Sequence, residues 1–196
     1  MRHVVAFAML LFGQTTFAAF ERTTQGGRAV AMGGSLVALS GNEWSAFTNP
    51  ATLMTIGERT VSLFYAPQPF ELKELSHGAA SYVEPTSIGS FALSASRFGF
   101  ELYKETRIAL SYCDEVGGVV KGGINLDYYS LSIQNYGSAS TIGIDVGVLV
   151  DISDEVRWGF AAFNLNAPTI GAAKEKLPQV FSTGVTYNPI QEAIIA

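Results

Sequence analysis

The chain has 196 residues and a net charge of −5, with a pI near 5.0, so nothing suggests nucleic-acid binding. Only 15% of its residues are charged and 48% are hydrophobic, where a soluble domain carries about 25% charged residues, so part of the surface is not built for water. A lone cysteine, Cys113, excludes an internal disulfide, and His77, the one histidine outside the first residues, makes no metal site and calls for no cofactor.

Residues 1–19 have the order of an export signal. Arg2 supplies the positive start, Val4 to Phe12 is an apolar run, and in Thr16-Phe17-Ala18 the residues Thr16 and Ala18 place small side chains at the cleavage positions. The run is too short to cross a bilayer as a helix. A mature chain would begin near Ala19 or Phe20, outside the cytoplasm.

Residues 20–57 differ from everything that follows. Gly26 to Leu53 reads GGRAVAMGGSLVALSGNEWSAFTNPATL, with two glycine pairs and no strand period. Asn42 to Phe47 is expected to form one short helical turn and Pro50 to Thr55 a second. Asn49 can cap free amides there, and Pro50 stands at the first helical position, where its missing N–H costs nothing. A phosphate-binding glycine loop does not fit, because no strand precedes these glycines.

Residues 58–196 alternate with a period of two. Phe91, Leu93 and Ala95 alternate with Ser90, Ala92, Ser94 and Ser96. Ile108, Leu110 and Tyr112 alternate with Glu105, Arg107, Ala109 and Ser111. The pattern continues through Ile124 and Leu126 against Lys121, Asn125 and Asp127, and through Ile144 and Val146 against Asp145 and Gly147. Each strand therefore has one apolar face and one small or polar face. A soluble β-sandwich also alternates, but its polar face meets water and is rich in Lys, Glu and Thr. Here that face is mostly Ser, Gly and Ala, with a few charges of both signs. Strands of roughly 9–12 residues suit a tilted membrane strand.

The connections are expected to alternate long (Pro67–His77, Gly99–Lys104, Gln134–Ser140, Asn166–Pro178) and short (Glu84–Ser87, Asp114–Gly117, Ser153–Glu155, Asn188–Gln191), as external loops and periplasmic turns do in an outer-membrane barrel. Tyr65, Tyr82, Tyr103, Tyr112, Tyr128, Trp158 and Tyr187 are expected near strand ends, where interfacial girdles belong. The fold class expected is all-β: an antiparallel transmembrane β-barrel with a short N-terminal helical plug. About eight or nine strands are present, and an open edge in lipid implies that further strands follow residue 196.

The segment GGRAVAMGGSLVAL followed by NPATL resembles the amino-terminal motif of the PorV/PorQ-type outer-membrane proteins, which are similar to the FadL-type long-chain fatty-acid transporters. Arg28, Met32, Gly33, Gly34, Ala38, Asn49, Pro50, Ala51 and Leu53 stand where that motif has them. Asn42, Ser45 and Thr52 depart from it, where the motif has an acidic residue, alanine and glycine. GIDVGVLV, WGFAAFNLNAP and EKLPQVFSTGVTYNP follow in the order seen in the same proteins. The resemblance implies a plug inside a barrel of the bacterial outer membrane, with transport of hydrophobic small molecules as its function. It also implies an alternative, a component that binds or shuttles exported proteins for a secretion system.

The resulting expectations are specific. Phe91, Leu93, Ile108, Leu110, Ile124, Leu126, Ile144 and Val146 should face lipid. Glu105, Arg107, Lys121, Asp127 and Asp145 should face the lumen and pair with each other or with the plug, Arg28 being one candidate partner. Met32, Leu36, Trp44 and Phe47 are candidates to lie beside a ligand path, or to pack the plug on the wall. No Ser/His/Asp or metal constellation points to an enzyme; Ser40 lacks a nucleophile-elbow context.

Overall fold

The computed structural model describes residues 19–190 and 193–195; the export-signal expectation falls outside them except for Ala19. The strands are β1 (Thr60–Ala66), β2 (His77–Thr86), β3 (Gly89–Gly99), β4 (Tyr103–Val116), β5 (Val120–Ile133), β6 (Gly137–Asp151) and β7 (Val156–Phe163), then the two-residue β8 (Thr169–Ile170) and β9 (Glu175–Lys176), then β10 (Val180–Ile190) and β11 (Ala193–Ile195). All but β8 and β9 join one antiparallel sheet in chain order, and β8 pairs with β9 as a separate hairpin. The sheet is open: β1 and β11 stand at opposite edges, and the described residues do not close it into a barrel.

Register shows what the alternation means in three dimensions. On one face, residues from six strands stand side by side in rows. One row is Val61, Tyr82, Leu93, Leu110, Leu126 and Ile144; the next is Leu63, Ala80, Ala95, Ile108, Tyr128 and Ile142. These rows are apolar, and most of their large side chains are bare: Leu63 is 81% exposed and Leu93 54%. All eight residues expected on the apolar face lie on it. The opposite face carries Ser81, Ser94, Ser111, Asn125, Asp127 and Asp145, all buried.

The cover over that face is the N-terminal segment, so the sheet is polar inside and apolar outside. Residues 19–57 carry α1 (Gly27–Ala31), α2 (Ser45–Thr48) and a 3₁₀ turn at Pro50–Thr55. The second expected turn matches in its bounds, the first is shifted toward its C-terminal end, and α1 was not foreseen. Ala38, Ala51, Leu53 and Ile56 pack on Val83, Ala92, Cys113 and Leu149 of the sheet, forming the main apolar core. Beside it, Trp44 and Phe47 pack on Ala79 and Phe64.

Two expectations about the connections change. Residues 100–102 and 134–136 are three-residue turns rather than long loops, because pairing runs almost to the hairpin ends. Gly99, Asn135 and Gly137 supply the positive φ these tight turns need. Only 67–76 and 164–179 remain long. The aromatic residues also spread more widely than expected. Tyr65, Tyr103 and Trp158 stand near strand termini, whereas Tyr82 and Tyr128 fall in the middle apolar rows, where the stagger of neighbouring strands carries them.

Candidate functional site

The densest contact between the N-terminal segment and the sheet is at Asn49-Pro50-Ala51. Beneath it, Cys113, Gly123, Gly147 and Ala161 form one row of small residues across β4–β7. A Cβ on Gly147 would stand 2.0 Å from Asn49 Oδ1, and one on Gly123 would stand 2.4 Å from the Pro50 carbonyl carbon. The glycines form a saddle into which a backbone fits. On the next row, Gly159 admits the Val37 carbonyl, which a Cβ would meet at 2.3 Å.

Asn49 uses this proximity fully. Its Oδ1 accepts from Ala51 N–H at 3.0 Å, the capping role expected of it. Its Nδ2 also donates to the carbonyls of Val37 (2.6 Å) and Val148 (3.1 Å). One buried amide thus caps a turn, closes the 37–49 loop and joins the segment to β6. Cys113 Sγ donates to the Ala51 carbonyl at 3.2 Å, the role of a buried small residue.

The three departures from the plug motif form one hydrogen-bonded set. Asn42 Nδ2 donates to Thr48 Oγ1 at 2.7 Å and Asn42 Oδ1 accepts from Trp44 N–H. The Ser45 hydroxyl lies against the Asn42 carbonyl and stands 2.7 Å from Thr52 Oγ1, which donates to the Asn49 carbonyl at 2.8 Å. Ser45 and Thr52 thus depend on each other for this hydroxyl pair.

The charged centre joins β4, β5 and β6. Arg107 Nε donates to Asp127 Oδ1 and its Nη2 to Asp145 Oδ2, both at 2.7 Å. Both carboxylates are fully buried. A buried charge is costly unless paired and hydrogen-bonded, and the planar guanidinium fork serves two acids at once. Arg107 Nη2 and Asn125 Nδ2 also donate to the Ala46 carbonyl at 3.2 and 2.8 Å. The expected pairing of wall charges with the segment is therefore made through its backbone. Arg28 plays no part: it is exposed and forms no ion pair among the described residues. The arginine of the segment that meets the wall is Arg22, which donates to the Phe47 carbonyl at 2.7 Å and lies 3.9 Å over the Phe163 ring.

The other two expected lumen charges lie apart from this centre. Lys121 pairs with Glu115 (3.0 Å) and Asp151 (2.5 Å), and Arg157 adds a contact to Asp151, at the short-turn end. Glu105 accepts from the Tyr103 hydroxyl at 2.5 Å, at the opposite end. His77, expected in a loop, opens β2 facing inward, with Nε2 3.2 Å from Thr23 Oγ1.

Of the candidate path residues, Leu36, Trp44 and Phe47 are buried, and Met32 packs beside Ala29, Leu36 and Leu39. Phe47 and Leu36 also border cavities. One of about 60 Å³ lies between residues 20–25 and the charged centre. Another of about 150 Å³ continues past Arg22 to Leu36. A third of about 390 Å³ lies between residues 33–38 and β10. Successive cavities share lining residues, so they follow the front half of the segment and avoid the saddle.

Arg22, Asn125, Val37 and the saddle glycines were not singled out from sequence. The glycines are visible there as small residues on the inner face, but their common row exists only once the strands pair. Among the described residues no group of His, Cys, Asp and Glu could hold a metal ion, and no helix is long and apolar enough to cross a membrane, which says nothing of strands. Compared with models of known protein families and with curated proteins, the chain matches none.

Proposed function

We propose that the chain crosses a bacterial outer membrane as a plugged β-barrel protein that handles hydrophobic small molecules. The observation that carries this is the inverted sheet. Leu63, Leu93, Leu110 and Leu126 are bare while Asp127, Asp145 and Asn125 are buried, the reverse of what water selects and the pattern of a lipid-facing strand. β4, β5 and β6 have 14, 14 and 15 residues, beyond the roughly 9–11 that a tilted membrane strand needs. The motif resemblance to the FadL-type proteins supports the same assignment.

The plug would work in two halves. Residues 42–56 are seated on the saddle and the charged centre, as a fixed floor. Residues 20–25 border the cavities and hold the wall through side chains, Arg22 on Ser182 and Phe163 and Thr23 on His77, so a path for an apolar molecule would open there. A second function, docking of exported proteins around a permanent plug, is favoured by the firmness of the seat and by the small 60 Å³ cavity beside it.

The test is the full chain in liposomes, with ion conductance and uptake of a hydrophobic fluorescent probe measured together. Cysteines at Thr23 and His77, whose side chains touch at 3.2 Å, would lock the front half when oxidised. Low conductance with probe uptake that is lost on oxidation supports transport. High ion conductance without probe uptake refutes it. Neither activity, with an exported protein bound at the long-connection end, gives the second function.

A further inference from the structure

The apolar outer face ends abruptly on one register row. Beyond Leu63, Ala80, Ala95, Ile108, Tyr128 and Ile142, the next outward row is Tyr65, Gly78, Arg97, Thr106, Ser130 and Ser140. The row after that holds Gly99, Lys104, Ser132 and Ser138. Within one step the side chains change from aliphatic, Tyr128 excepted, to mostly hydroxyl and cationic, Gly78 excepted.

Of the five cations in the nine-stranded sheet, Arg107, Lys121 and Arg157 are ion-paired. Arg97 and Lys104 form no ion pair among the described residues. They are diagonal neighbours on β3 and β4, since Arg97 faces Thr106 and Gly99 faces Lys104. Beside Arg97 the wall is dented. A cavity of about 270 Å³ is bounded by Tyr65, Ser76, Gly78, Arg97 and Gly99. The Tyr65 ring lies against Gly78, 3.5 Å from where a Cβ would stand. At Gly99 the glycine is obligatory, with φ +99 and a Cβ that would stand 2.2 Å from the Tyr103 carbonyl oxygen.

We infer that this dent is a binding site for the phosphate of a membrane lipid, with Arg97 and Lys104 as its cations. The inference rests on the membrane assignment above. Arg97 bounds the dent and Lys104 is its diagonal neighbour, and a guanidinium fork with a nearby ammonium suits a phosphate. The adjoining rows of Leu63, Ala95 and Ile108 give the acyl chains of the same molecule a surface to lie on. A free phosphate would gain nothing from those rows, so the occupant is a lipid headgroup.

The experiment uses the full chain in vesicles of phosphatidylcholine with a minor fraction of phosphatidylglycerol, then lipid retention by native mass spectrometry after extraction. Phosphatidylglycerol should be retained over phosphatidylcholine by roughly fivefold per cation. The double variant Arg97→Gln with Lys104→Gln should lose that preference while still floating with the vesicles and keeping its β spectrum. Inorganic phosphate in excess should displace nothing. Unchanged preference in the double variant overturns the site alone, and so does displacement by inorganic phosphate. Failure of the unmodified chain to float with these vesicles overturns the membrane assignment and the site together.

Discussion

Gly122 and Gly123 are adjacent on β5 and face opposite ways, which makes them a controlled pair. A Cβ on Gly122 meets nothing within 4 Å, whereas one on Gly123 stands 2.4 Å from the Pro50 carbonyl carbon and 2.5 Å from Ala51 N. Those atoms are backbone and cannot rotate aside. Gly123→Ala must therefore lift the Asn49–Ala51 turn off the sheet and break the two hydrogen bonds that tie it there, Asn49 Nδ2 to the Val148 carbonyl and Cys113 Sγ to the Ala51 carbonyl. At about 1 kcal/mol each, the seat weakens by about 2 kcal/mol, a factor on the order of 30 in its opening equilibrium. The chain carries its own reporter. Cys113 pairs with Gly123 across the strands, is fully buried, and lies under Ala51. Maleimide should label Cys113 on the order of 30 times faster in Gly123→Ala than in the unmodified protein. Gly122→Ala should label at the unmodified rate. Equal rates in all three proteins, with the β spectrum intact, would refute the saddle.

Asn49→Ala should weaken the seat by about 2–3 kcal/mol, more than the roughly 1 kcal/mol of a cap alone, because two carbonyls also lose their donor; Cys113 labelling reads this, and the sheet should persist. Arg107→Met leaves Asp127 and Asp145 buried without a cation and should cost about 3–5 kcal/mol in urea unfolding, of which Asp127→Asn in the same chain should recover part. Ser45→Ala and Thr52→Val remove the two halves of one hydroxyl pair, so the double variant should cost less than the sum of the single ones by about 0.5–3 kcal/mol in a double-mutant cycle.

Much of the wall was legible in the chain. A period of two needs no tertiary contact to be seen, and it placed Leu93, Ile108, Leu110, Ile124 and Leu126 on one face and Arg107, Asp127 and Asp145 on the other. Asn49-Pro50 announced its own turn, because a capping amide followed by proline has few other uses. The lengths of the connections were less legible. Ser132, Ser138 and Ser140 have the composition of loops, yet they continue the hairpin because their neighbours pair. His77 likewise has the sequence surroundings of a loop and the position of a strand residue.

What the sequence determined by itself is therefore local: periodicity, the turn at Asn49-Pro50, and the sorting of side chains between two faces. These follow from backbone geometry that repeats within a few residues. Only tertiary structure decided which polar groups meet. The saddle of Gly123 and Gly147 and the fork of Arg107 between Asp127 and Asp145 depend on strand register. So does the diagonal of Arg97 and Lys104 on the outer face. Register is fixed by hydrogen bonds between neighbouring strands, and by the N-terminal segment before β1 that the inner face had to accommodate.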